Sequence, residues 1–157
     1  MLRFRIDTRD GWTFKQGSKP PSRSVKIAYT AKAGETPTIV LVDDDPSVLR
    51  ALSRLLRGAG FRVVAFDRPG ALLASAIPKA NACMVVDINL PELNGAELCS
   101  ALAASGRSLP AILITGRDDP ATRRLIQKAR PVAALFKPFD KQALLDAITN
   151  ALARSGG

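Results

Sequence analysis

The chain has no histidine and only two cysteines, Cys83 and Cys99. Their spacing is not that of metal ligands, and with no histidine in the chain a zinc site is not expected. Both cysteines are expected as reduced, buried thiols, because disulfides are rare in the cytosol. Aromatic residues make up 5% of the 157 residues, although 46% are apolar. The core must therefore be built from Leu, Ile, Val and Ala. No apolar run approaches the roughly 20 residues a membrane helix requires, which speaks against membrane insertion. The first residues, MLRFRIDTRDGW, have no apolar stretch of the signal-peptide kind. The expected location is cytoplasmic.

Acidic residues are in the minority, with 23 Lys and Arg against 14 Asp and Glu, for a net charge of +9. Such a balance raises nucleic acid as a partner. The distribution weakens that idea, because residues 1–37 hold eight of the basic residues against three acids. Arg123, Arg124, Lys128 and Arg130 are read as a solvated helix face rather than as a nucleic-acid surface. Residues 1–36 carry no sustained period and include the linker-like cluster Gly17–Ser22. They are expected to be a basic, disordered extension.

From Thr38 the texture changes. Thr38–Val42 is a short continuous apolar run, as expected for a strand covered on both faces. Asp45-Pro46 supplies a helix cap and a first-turn proline. Val48, Leu49, Leu52, Leu55 and Leu56 recur at helical spacing, and Gly58 and Gly60 end the helix. The alternation repeats. Further strands are predicted at Phe61–Phe66, Cys83–Val86, Ala111–Ile114 and Val132–Phe136. Further helices are predicted at Pro69–Ala76, Asn94–Ala104 and Asp119–Ala129, and a last one is capped by Asp140. The domain is expected over 37–154, with 155–157 frayed. Five strands alternating with five helices predict an α/β fold, a doubly wound parallel sheet with helices on both faces. Ligands of such sheets bind beyond the carboxyl ends of the strands, where the strand order reverses.

Those ends carry a distinctive set of side chains. The first strand ends in Asp43, Asp44 and Asp45, the third in Asp87, the fourth in Thr115 and the fifth at Lys137. One aspartate at a strand end is ordinarily a cap, and Asp45 before Pro46 reads that way. The whole set on four strand ends is hard to obtain by chance. Crowded carboxylates raise one another's pKa unless a cation offsets them. Oxygen-only ligands point to a hard ion, and Mg²⁺ needs one or two carboxylates plus a phosphoryl oxygen. A carboxylate can attack phosphorus and form an acyl phosphate, given charge neutralisation by Mg²⁺ and Lys137. The Thr115 hydroxyl can donate to the new phosphoryl group, and Gly116 leaves room for it to enter.

With these residues in view, the segment from Pro37 to Ala153 resembles the receiver domain of two-component response regulators. Ile39–Pro46 (IVLVDDDP) resembles the acidic first-strand motif, Val85–Gly95 (VVDINLPELNG) the phosphoacceptor loop, Leu113–Gly116 (LITG) the switch-threonine motif, and Phe136–Phe139 (FKPF) the lysine-proline signature. The type it is most similar to is that of nitrogen-fixation and nodulation regulators. The resemblance implies a flavodoxin-like five-stranded parallel sheet of order 2-1-3-4-5 with five helices. It implies that Asp87 is the phosphoacceptor, and that Asp44, Asp87 and the backbone carbonyl of Asn89 ligate Mg²⁺. Asp43 would hold a metal-bound water, Thr115 would be the switch hydroxyl, Lys137 would meet the phosphoryl oxygens, and Lys137-Pro138 would be cis. One position departs from the pattern: Ala134 stands where the family usually has Tyr or Phe, three residues before the lysine. Arg130-Pro131 likewise replaces the usual Gly-Ala before the fifth strand.

The function expected is that of a single-domain response regulator in phosphorelay signal transduction. It would be charged by a sensor histidine kinase or a phosphotransfer protein, and would act through contacts with an unknown downstream protein. It would assist its own phosphorylation and dephosphorylation without being an enzyme in the usual sense. The alternative is a receiver-fold docking module that works without phosphorylation.

Overall fold

The computed structural model describes residues 4–7, 11–14 and 35–155. Within the extension, Phe4–Asp7 (β1) and Gly11–Phe14 (β2) pair antiparallel, with Phe4 opposite Phe14 and Asp7 opposite Gly11. These two strands lie within the stretch expected to be a disordered extension. Each has four residues, too few for a period to stand out among Gly, Pro and Ser. The rest of that expectation lies outside the described residues.

The strand Thr38–Val42 (β3) is buried along its whole length and leads through Asp45 into the helix Pro46–Gly58 (α1). Asp45 caps that helix, its Oδ1 accepting from the Ser47 amide at 2.8 Å. Arg62–Phe66 (β4) and the short helix Pro69–Leu73 (α2) follow. Helix α2 stops three residues before the expected Ala76, and Pro78 blocks any extension from Ala76 onward. Ala82–Asp87 (β5) is again fully buried. The helix Gly95–Ala104 (α3) opens with a capping box: Asn94 accepts from the Glu97 amide, and Glu97 accepts from the Asn94 amide, both at 2.9 Å. Ala111–Thr115 (β6), Pro120–Ala129 (α4), Ala133–Phe136 (β7) and Lys141–Ser155 (α5) complete the alternation.

All five core strands are parallel, in the order β4-β3-β5-β6-β7, which is the expected 2-1-3-4-5. Alternate residues of the central strands point to opposite faces. Ile39, Leu41, Val85, Ile112 and Ile114 meet Leu52, Leu56, Leu144 and Ile148 on the side of α1 and α5. Val40, Val42, Met84, Val86 and Leu113 meet Leu72, Leu98 and Leu102 on the other. This explains the continuous apolar runs in the sequence, since both faces of each central strand are covered.

Two details depart from the expected ends. Asp140 was expected to cap α5, and its backbone carbonyl does accept the first helical bond, from the Leu144 amide at 3.2 Å, but among the described residues its buried Oδ1 has no hydrogen-bond partner. The sequence pattern locates the helix start but not the side-chain torsion that a cap requires. Ser155, expected in the frayed end, closes α5, and its hydroxyl accepts from the Ala82 amide at 3.2 Å. Residues 156–157 lie outside the described residues. Among the described residues no helix is long and apolar enough to cross a membrane.

Candidate functional site

Strand order reverses at β3, which has β4 on one side and β5 on the other, so the carboxyl ends of β3 and β5 flank a crevice. Asp43 and Asp44 follow β3 directly, and Asp87 is the last residue of β5. One carboxylate oxygen from each of the three lies within 4.8 Å of the others. Asp43 is fully buried, Asp87 is buried and Asp44 is exposed, so the cluster runs from the sheet outward to solvent.

Lys137 reaches this cluster from the end of β7. Its Nζ is 3.4 Å from Asp43 Oδ2 and 3.6 Å from Asp87 Oδ2. The Lys137 amide donates to the Thr115 carbonyl at 2.8 Å, which ties the lysine's backbone to β6. The Lys137-Pro138 peptide bond is cis. Asp43 Oδ1 accepts from the Asp45 amide at 2.9 Å, and Asp87 Oδ1 accepts from the Asn89 amide at 3.1 Å. Burial pushes the Asp43 carboxyl up to about 6, against the pull of Lys137 and the Asp45 amide.

Chemistry of this kind accommodates a hard divalent cation. The donors are oxygens alone, and three carboxylates are close enough to share one ion. Burial pushes Cys83 up to about 12 and Cys99 up to about 11, and both are free thiols.

Thr115, the last residue of β6, is fully buried. Its Oγ1 accepts from the Arg117 amide at 3.0 Å and from Asn89 Nδ2 at 3.1 Å, and donates to the Arg117 carbonyl at 3.3 Å. The expected site residues Asp43, Asp44, Asp87, Asn89, Thr115 and Lys137 thus lie around one strand edge. Two features were not read from the sequence. The Asn89 side chain, not only its backbone, takes part in the arrangement. Gly95 is required by close approach, since a Cβ there would lie 2.5 Å from the Asp87 carbonyl oxygen. Its place in the VVDINLPELNG segment carried no sign of that contact. Conversely, a Cβ at Gly116 would meet nothing within 4 Å, so in this arrangement the space beside Thr115 does not depend on glycine.

Comparison with known proteins agrees with this geometry. Residues 39–149 match the model of the response regulator receiver domain. Nodulation protein W of Bradyrhizobium diazoefficiens is 40% identical over 117 residues, covering 74% of this chain and 51% of that protein. The transcriptional regulatory protein FixJ of Azorhizobium caulinodans is 31% identical over 121 residues, covering 77% and 57% respectively. Among solved structures, response regulator StyR superposes with a TM-score of 0.70 at 41% identity, covering 77% of this chain and 61% of that one. FixJ-N superposes with a TM-score of 0.69 at 31% identity, covering 76% and 95%. The chain spans about half the length of the curated relatives it matches. With the matched segment containing both the fold and the strand-edge cluster, the chain belongs to the response regulator receiver domain family, the signalling domain of two-component systems.

Proposed function

We propose that this domain accepts a phosphoryl group on Asp87 and uses it to change the affinity of its surface for a partner. The observation that carries this reading is the placement of Lys137 within 4 Å of both Asp43 and Asp87, beside a third carboxylate. A carboxylate oxygen of Asp87 attacks phosphorus, the bond from phosphorus to the donor breaks, and the donor departs with that electron pair. Lys137 neutralises the phosphoryl oxygens, and the Thr115 hydroxyl donates to one of them. Asp44, Asp87 and the Asn89 carbonyl would hold Mg²⁺, with Asp43 acting through a water. When bound, that ion supplies Lewis-acid stabilisation of the phosphoryl charge. The donor is proposed to be a sensor histidine kinase or a phosphotransfer protein.

The signal leaves through the loop after β6. Thr115 Oγ1 is bonded to both the amide and the carbonyl of Arg117, so moving the hydroxyl moves that residue. The loop runs on to Asp119, which caps α4 by accepting from the Thr122 amide at 2.7 Å. Ala134, half-buried on β7, has no rotamer to exchange, so an aromatic flip does not carry the signal here. Phosphorylation supplies the differential contact that such a population shift requires.

The test is intact-mass analysis after treatment with acetyl phosphate and Mg²⁺. The wild type is expected to gain one phosphoryl group, and Asp87→Asn none. Equal labelling of both, or no labelling of the wild type, overturns the assignment. The latter outcome favours a docking module that works without phosphorylation.

A further inference from the structure

The Asn89 side chain does something for which the backbone metal contact gives no reason. We propose that Asn89 is a positioning residue: its amide holds the Thr115 hydroxyl in a resting arrangement and sets the cost of handing it to a phosphoryl group. The inference rests on Asp87 being the phosphoacceptor.

A threonine hydroxyl has one proton and two lone pairs. In this structure all three are engaged. Asn89 Nδ2 and the Arg117 amide occupy the lone pairs, and the proton points to the Arg117 carbonyl. Thr115 is fully buried, so water does not compete for these positions. Its backbone is also pinned, within β6 and through the bond from the Lys137 amide to its carbonyl. Rotation of the side chain is therefore the motion open to it, and rotation breaks the bond to Asn89.

Asn89 is well placed to resist that rotation. Its own amide donates to Asp87 Oδ1, and the preceding Ile88 amide donates to the Ile114 carbonyl at 2.9 Å. The residue is thus based on the acceptor carboxylate and on the neighbouring strand, and its side chain spans to the hydroxyl. A single residue couples the group that is modified to the group that responds. When a phosphoryl group draws the Thr115 proton away from the Arg117 carbonyl, the accompanying rotation breaks the Asn89 bond, whose loss opposes the change.

Removing the amide should tilt the balance without phosphorylation. In unphosphorylated Asn89→Ala, the Gly116 and Arg117 amide resonances are expected to move toward the positions of the phosphorylated wild type. The switched population should rise roughly two- to tenfold, the equilibrium equivalent of one net hydrogen bond. Spectra with acetyl phosphate and Mg²⁺ define the switched end point, with the phosphorylated fraction read by intact mass. In a Thr115→Ala background, Asn89→Ala should produce no further displacement, because the partner of the amide is gone. Resting-state resonances that stay at the wild-type positions in Asn89→Ala overturn the inference. So does an equal displacement in the Thr115→Ala background, which assigns the effect to the loop rather than to the hydroxyl. A wild type that takes no phosphoryl group overturns the function proposed above and this inference with it. A labelled wild type whose loop responds identically with and without the Asn89 amide overturns this inference alone.

Discussion

Helices α4 and α5 pack on opposite faces of the sheet and are held in different ways. Helix α5 buries Leu144, Leu145, Ala147, Ile148, Ala151 and Leu152 against the sheet. Helix α4 fully buries only Thr122, with Leu125, Ile126 and Ala129 partly covered. Its start depends on the Asp119 cap and on an exposed ion pair between Asp118 and Arg123. It ends at Arg130 with φ +48°, a left-handed conformation that glycine adopts freely and arginine does not. An element with few buried contacts shifts at little cost, whereas one embedded in the core does not. The strand edge that carries the acidic cluster is therefore adjacent to one fixed and one adjustable helix, and the Thr115 loop feeds the adjustable one.

The largest effect expected is on stability. Leu144→Ala should destabilise the domain by about 2–5 kcal/mol through the cavity it leaves, and Leu125→Ala on α4 by about 1 kcal/mol. Urea unfolding measures both. Similar losses would erase the contrast between the helices.

The second expectation concerns a cost stored at the fixed side of the site. The Asp43 carboxyl is pushed up to about 6, above its value in an unfolded chain. Between about pH 4 and 6 the unfolded chain loses this proton while the folded domain keeps it, so stability falls as pH rises. Above that window the penalty persists, on the order of 3 kcal/mol without a divalent cation. In divalent-free buffer Asp43→Asn should remove this pH-dependent loss and be the more stable protein at pH 7. Added stability should slow exchange of β3 and α5 amides and leave α4 unchanged. The same pH slope in the variant would mean that the burial cost is met elsewhere.

Relieving the left-handed cap sharpens the comparison from the other side. Arg130→Gly should raise stability by about 1 kcal/mol, read by urea unfolding. A loss instead would show that the arginine side chain contributes more than its backbone costs. The smallest effect is dynamic. Phosphorylation should change hydrogen exchange in α4 by roughly two- to tenfold while leaving α5 unchanged, and Thr115→Ala should suppress that change. A full response of α4 in Thr115→Ala would mean that coupling bypasses the hydroxyl.

Much of this was legible in the linear chain, for physical reasons. Runs such as Ile39–Val42 and Ile112–Ile114 are apolar without alternation, as a strand covered on both faces requires. Leu52, Leu56, Leu144 and Ile148 recur at helical spacing. Asp43, Asp44, Asp87, Thr115 and Lys137 were recognisable because the ends of parallel strands converge wherever the alternation places them. What lay beyond the sequence depended on torsions and close approach. The two strands of the extension are too short to register as a period. A helix start at Asp140 says nothing of where its Oδ1 points. The contact of Gly95 with the Asp87 carbonyl is a distance between residues eight apart. The reach of the Asn89 amide to Thr115 crosses from one strand end to the next. Pattern and spacing record which face a residue occupies; only the packed structure decides which donor meets which acceptor there, because a hydrogen bond depends on ångström-scale position that no local preference encodes.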